Sequence, residues 1–148
     1  MAPLRMLLAA SPAYLQRRGT PRRVADLAGH DCLTFSHWVH RDRWRLIGPH
    51  GEESVRVGAR LQVNNGEALR HAALAGAGIV MQSEQMLAAD LHAGSLRRVL
   101  PRHAPPSRPA QLVYRPDRQA SPKLRRFIEF ALQRLGPEAT RTTGTAAR

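Results

Sequence analysis

Asn64-Asn65-Gly66-Glu67-Ala68-Leu69-Arg70-His71-Ala72-Ala73-Leu74-Ala75-Gly76-Ala77-Gly78-Ile79-Val80-Met81 is the stretch on which the fold turns. Asn64 with Glu67 three residues later has the spacing of a capping box, with Asn in place of Ser or Thr. Ala68, Ala72 and Ala75 then fall at i, i+4 and i+7, and Leu69 pairs with Ala73 at i, i+4, which is helical spacing. Small residues dominate, so this helix should lie close against a sheet. Gly76-Ala77-Gly78 ends it, and Ile79-Val80-Met81 returns as an apolar strand. A helix delivered straight into a strand is the signature of an α/β fold with a parallel or mixed sheet.

The flanks repeat that alternation. Upstream, Leu4 to Ala10 reads as a largely buried strand, and Ser11-Pro12 as a cap with proline at the first helical position. Ala13 to Arg18 is a short helix stopped by Gly19, and Val24 to Ala28 a second one closed by Gly29. Strand character follows at Cys32 to Ser36, Trp44 to Ile47, Ser54 to Val57 and Ala59 to Val63, with Gly48-Pro49-His50-Gly51 as a hairpin or loop. Downstream, Ser83 opens a helix that runs through Leu91 and is closed by Gly94. Leu96 to Leu100 and Gln111 to Tyr114 are two more strands, joined by the stiff connector Pro105 to Pro109. Ser121-Pro122 starts a last helix with Leu124, Phe127, Ile128, Ala131 and Leu135 on one face. The Thr-, Ala-, Gly- and Arg-rich tail from Glu138 is expected to be disordered.

The formal charge of +12 raises the question of nucleic acid. Yet the 23 basic residues comprise 22 Arg and the single Lys123, scattered in small groups with no run of five or six like charges. A solvated arginine-rich surface accounts for that pattern, with a nonspecific polyanion-binding surface as the alternative. Cys32 is the only cysteine, so no disulfide framework exists within one chain, and a strand position suits a buried thiol. The apolar run after Arg5 is too short for a secretory signal and is stopped by Ser11-Pro12. No apolar stretch is long enough to span a membrane.

Enzyme chemistry finds no support. His30, Cys32, His37 and His40 crowd together, but His37 and His40 are too close for zinc-ligand spacing and Cys32 has no second thiol, so no metal is expected. There is no nucleophile elbow, and Gly76-Ala77-Gly78 precedes a strand instead of a helix and lacks the third glycine of a dinucleotide fingerprint. No cofactor is expected. Asn64-Asn65-Gly66 differs in kind: unpaired N–H groups and partial positive charge at a helix N-terminus suit a small molecule's carboxylate. A plain helix cap fits the same spacing.

Ala10-Ser11-Pro12-Ala13-Tyr14-Leu15, Gly19-Thr20-Pro21, Asp26-Leu27-Ala28 and His30-Asp31-Cys32-Leu33 together resemble the middle of LysR-type transcriptional regulators. Trp44-Arg45-Leu46, Asn64 to Ala68, Ala73 to Ile79, Gly94-Ser95-Leu96, Val99-Leu100-Pro101, Leu112-Val113-Tyr114 and Ser121-Pro122-Lys123 with Phe127-Ile128 continue the series in order. The resemblance runs from about Leu4 to Leu135. It implies a fold like the type 2 periplasmic binding proteins, in which two α/β lobes clasp an effector. Residues 1–115 would be the second lobe of the effector-binding domain, 116–135 the returning C-terminal helix of the first lobe, and 136–148 a disordered tail.

The family's winged helix-turn-helix, linker helix and most of its first lobe have no counterpart in these residues. The resemblance therefore implies a cytoplasmic, non-enzymatic effector-binding domain that senses a small, anionic metabolite. DNA would be reached only through a missing N-terminal domain or a partner chain, and the exposed face of the last helix leaves a homodimer open. Effector contacts carried over from the family fall at Asn64, Asn65 and Gly66, and at Phe35 and Ser36 after the Cys32 strand. A stand-alone small-molecule-binding protein and a nonspecific polyanion binder are the alternatives.

Overall fold

The computed structural model describes residues 4–37, 42–107 and 122–135, in two units: Arg5–Ser107, and a second that contains Leu4 and the last helix. In the larger unit, seven strands, three α-helices and one 3-10 helix are described, in the order β1 (Met6–Ala10), α1 (Pro12–Arg18), a 3-10 helix (Val24–Gly29), β2 (Asp31–Phe35), β3 (Arg43–Gly48), β4 (Gly51–Arg56), β5 (Gly58–Val63), α2 (Gly66–Leu74), β6 (Ile79–Ser83), α3 (Glu84–Ala93) and β7 (Arg97–Val99). Helix α4 (Pro122–Leu135) belongs to the other unit.

The main sheet has the order β5-β2-β6-β1-β7. β2 runs parallel to both β5 and β6, whereas β1 is antiparallel to β6 and β7. The expected α/β class with a mixed sheet is what the chain adopts. Alternation along the strands sends side chains to two cores, one on each face. Leu8, Ala10, Cys32, Ile79 and Met81 join Tyr14, Leu27 and the hairpin residues Trp44 and Leu46 on one side. Leu7, Ala9, Leu33 and Val80 meet Leu69, Ala73 and Leu87 of α2 and α3 on the other. A sheet covered on both faces needs strands that are apolar throughout, which is why Leu7-Leu8-Ala9-Ala10 and Ile79-Val80-Met81 carry no polar residue.

Local chemistry sets the ends of the elements. The Ser11 side chain accepts from Tyr14 N–H, Ser83 caps α3 by accepting from Met86 N–H, and Gly94 closes α3 in the left-handed region at φ 74°. Gly48-Pro49-His50-Gly51 is the turn of the β3–β4 hairpin, with Gly48 paired to Gly51. One expectation is corrected here: the cap of α2 is Asn65, not Asn64. The Asn65 side chain accepts from Glu67 and Ala68 N–H at 2.9 and 3.2 Å, so the helix begins one residue later. The buried stripe of α2 is Leu69 with Ala73, while Ala68 and Ala75 are exposed. The strand expected over Leu96 to Leu100 shrinks to Arg97–Val99. The strand at Gln111–Tyr114, Ser121, most of the Pro105–Pro109 connector's far end, His40 and the 136–148 tail lie outside the described residues.

Burial explains two side chains with distinctive chemistry. Cys32 is fully buried, and desolvation, with Asp31 adding to it, pushes its thiol up to about 12. It is therefore a packing residue, and we expect no alkylation by iodoacetamide at pH 8 in native protein and full reaction after unfolding. Fast native-state labelling would contradict this. The buried Tyr14 hydroxyl accepts from Asp31 N–H at 2.9 Å and lies 3.1 Å from His30 Nδ1, placed to donate to a neutral imidazole. Burial first, then the nearby Arg18, depresses the His30 value from its ordinary 6.5. The unfolded chain thus takes up a proton before the folded one, so His30 contributes stability above about pH 6.5 that is lost as pH falls through the folded value. Replacing His30 with Asn should flatten that part of the pH–stability curve, measured by urea unfolding between pH 7 and 5.

Candidate functional site

Parallel pairing brings the sequence candidates together. β2 and β5 end side by side with Phe35 opposite Val63, and Ser36 N–H donates to the Val63 carbonyl at 2.8 Å. Phe35 and Ser36 therefore stand at the same carboxyl edge as Asn64, Asn65 and Gly66. Crevices beyond the carboxyl ends of parallel strands are where α/β sheets hold ligands. Phe35, Ser36 and Gly66 are half-buried, whereas Asn64 and Asn65 are exposed. The Phe35 ring also meets His37, with centroids 5.8 Å apart.

The cap limits what this edge can offer. Asn65 consumes the Glu67 and Ala68 amides, and Gly66 N–H is the first helical donor left without a protein partner among the described residues. One N–H beside the positive end of a helix of nine residues is a modest anion-holding device. Gly66 sits tightly: a Cβ there would come 2.7 Å from Gln82 Nε2 and 3.2 Å from Met86 Cε. Gln82 and Met86 thus form the floor of the edge, and both escaped the sequence reading. β6 is parallel to β2 and stops at the same edge, so the carboxyl-end crevice that takes in Phe35 and Ser36 extends to Gln82 once strand order is known. The Gln82 Oε1 accepts from Ser83 N–H at 3.0 Å, which leaves its amide NH2 as a donor beside Gly66.

A salt bridge fixes the two helices that end here. Arg70 on α2 donates from Nε and Nη2 to the two oxygens of Asp90 on α3, at 2.5 and 2.8 Å, and from Nη1 to Glu67 at 3.2 Å. The Asp90 bonds first, then Glu67, hold the Arg70 guanidinium above its ordinary value. Among the described residues no group of three or more His, Cys, Asp and Glu could hold a metal. No described helix is long and apolar enough to cross a membrane.

Two depressions lie elsewhere, at the amino ends of β2 and β5. One is lined by Arg17, Arg18, Asp31, Arg60, Gly76 and Ala77, and the other shares Arg18, Asp31 and Arg60 with it. None of the five sequence candidates lines either one.

Comparison with known proteins narrows the reading. Residues 1–136 match the model of the LysR substrate binding domain. The chain is 32% identical over 133 residues to the HTH-type transcriptional regulator CrgA of Neisseria meningitidis serogroup B, covering 89% of this chain and 44% of that protein. It is 37% identical over 135 residues to the HTH-type transcriptional activator TtdR of Escherichia coli K12, covering 88% and 43%. Among solved structures, the CrgA regulatory domain superposes with a TM-score of 0.77 at 31% identity, over 91% of this chain and 67% of that one. Full-length AphB, a virulence activator of Vibrio cholerae, gives 0.74 at 28% identity, over 88% and 45%. The chain spans less than half the length of these two curated relatives.

Proposed function

This chain belongs to the LysR substrate binding domain family, a group of regulators and not of enzymes, and from that premise we propose that it senses a small, anionic metabolite. The effector sits at the carboxyl edge of β2, β5 and β6, where Asn64, Asn65, Gly66, Phe35 and Ser36 meet over Gln82 and Met86. Residues 1–115 act as the second lobe and 116–135 as the helix returning to the first. Promoter DNA is reached through a separate domain or a partner chain, in the cytoplasm where such regulators work. The observation that carries this reading is the convergence of both sets of candidates on one edge beside a free helical N–H.

The test is a thermal-shift titration of the full chain with a panel of mono-, di- and hydroxycarboxylates. A saturable rise in Tm is expected for at least one acid, because a ligand that binds only the folded state stabilises it. Asn65→Asp keeps the cap but sets a negative charge at the site, and should weaken that binding about tenfold. Gly66→Ala should abolish it while leaving the apo Tm nearly unchanged, since the crowded atoms are the flexible ends of Gln82 and Met86. A flat response across the panel would remove the effector reading.

A homodimer is the proposed assembly. Helix α4 exposes Phe127, Phe130 and Leu132, each more than half accessible (56, 54 and 52%). Phe127→Ser with Phe130→Ser should lower the sedimentation coefficient of any self-associated species, and an unchanged value would exclude α4 from the contact.

A further inference from the structure

We propose a second ligand site, for a doubly charged oxyanion of the phosphate type, in the groove at the amino ends of β2 and β5. It lies at the end of the sheet away from the effector edge and does not depend on the effector reading. The groove holds about 410 Å³ between Arg17, Arg18, Asp31, Arg60, Gly76 and Ala77. Three guanidinium groups face one carboxylate there, which leaves an excess of positive charge that a dianion balances.

Hydrogen bonds position Arg17 and Arg18, and an ion pair to Asp31 draws in the more exposed Arg60. Arg17 donates from Nη2 to the Gly76 carbonyl at 2.8 Å and lies over the Tyr14 ring, 5.8 Å from its centroid. Arg18 donates from Nη2 to the Gly29 carbonyl at 3.1 Å and approaches Asp31 Oδ2 at 3.9 Å. Arg60 meets the other carboxylate oxygen of Asp31 at 3.5 Å. Among the described residues no carboxylate lies within 4 Å of Arg17, so its charge is unpaired. Part of this arrangement serves α1, whose C-terminal turn gains from Arg17 and Arg18. Backbone carbonyls take one donor each from Arg17 and Arg18, however, and a guanidinium carries five. The remaining donors belong to side chains that line the groove, and Asp31 meets Arg18 and Arg60 on different oxygens.

The rest of the lining selects against other ligands. Gly76 and Ala77 give a low floor that lets a compact group sit close to the backbone. The lining offers no apolar side chain larger than Ala77, so a hydrophobic metabolite would gain little there. Planar, forked donors around a compact pocket are the recognition chemistry of phosphate. The chemistry is shared by free phosphate or a phosphate ester and by the backbone of DNA, and the experiment separates these sources.

The full chain is titrated with inorganic phosphate at constant ionic strength while backbone amide and arginine Nε–H signals are followed. Saturable shifts confined to Gly29–Asp31, Gly76–Ala77 and the three arginines are expected, with sodium chloride at the same ionic strength producing none. Arg60→Gln, at an exposed strand position that should not disturb folding, is expected to weaken the phosphate effect about tenfold. Arg17→Gln should do the same, with its fold checked by circular dichroism. Asn65→Asp should leave it unchanged, so failure of the effector reading would not touch this result. Shifts that never saturate, spread over all surface arginines or persist in Arg60→Gln would overturn the site. Once phosphate binds there, a short duplex that displaces it identifies backbone phosphate as the source, and one that does not identifies the free anion or its ester.

Discussion

Gly78→Ala is expected to lower the unfolding free energy by about 3 kcal/mol, at the upper end of the cost of overfilling a packed interior. Gly78 enters β6 where that strand lies beside the start of β2. A Cβ there would overlap the Asp31 carbonyl oxygen outright, and would sit 3.0 Å from the carbonyl carbon. The obstacle is backbone in the middle of the sheet, so it cannot rotate away as a side chain can. Relief requires β2 and β6 to separate, which weakens the Cys32–Ile79 and Leu33–Val80 pairings that join the two parallel strands. Gly94→Ala provides the comparison. Gly94 has φ 74° but nothing within 4 Å of a built Cβ, so only the left-handed backbone opposes the change. That costs about 1 kcal/mol. Urea unfolding of the two variants should rank them in this order; equal losses would show that β2 and β6 yield more readily than their packing suggests.

Gly78 also marks how far the sequence could be read. Gly76-Ala77-Gly78 was recognisable as the stop of a helix and the start of a strand. Gly76 indeed carries φ 77° after α2. The reason for Gly78 is a contact with Asp31, 47 positions away in the chain, and no local pattern records it. The same division holds elsewhere. Helix caps at Ser11, Ser83 and Gly94 are local hydrogen-bond chemistry and were legible residue by residue. The cap of α2 was misplaced by one because adjacent asparagines offer the same side chain, and only the backbone path decides which one reaches the Glu67 and Ala68 amides.

The site shows the limit more sharply. Asn64, Asn65 and Gly66 stood out as a helix N-terminus, but Phe35 and Ser36 could be singled out only through resemblance, and the two sets lie about 30 residues apart. Their convergence depends on β2 and β5 being parallel neighbours, although the β3–β4 hairpin separates them in sequence. Gln82 and Met86 were missed because side-chain period alone gives no strand order. The arginine groove was hidden for a related reason: Arg17, Arg18 and Arg60 looked like scattered surface charge until the sheet brought them around Asp31.

Asp90→Ala is expected to lower Tm by about 8 °C, a large change for a chain of this size. Asp90 is 7% exposed and receives two of the three Arg70 hydrogen bonds, while Arg70 keeps about a quarter of its side chain accessible. Removing the carboxylate leaves the guanidinium half-buried with only the exposed Glu67 beside it. Breaking one partner of such a pair costs more than the pair itself contributes, because the survivor stays poorly solvated. Arg70→Met combined with Asp90→Leu should therefore recover much of the lost Tm, since apolar groups of similar size leave no stranded charge. The two designs part at the candidate site. Arg70 is at the middle of α2 and Asp90 in the second half of α3, so their bond ties together the helices that bring Gly66 and Met86 close to each other. Asp90→Ala should shift the Gly66 and Met86 amide signals and weaken effector binding. The apolar pair should restore stability more fully than it restores those signals, because packing without a bidentate bond does not fix the angle between the helices. Full recovery of both would mean that burial alone sets the edge, and that Arg70 and Asp90 serve stability without positioning the site.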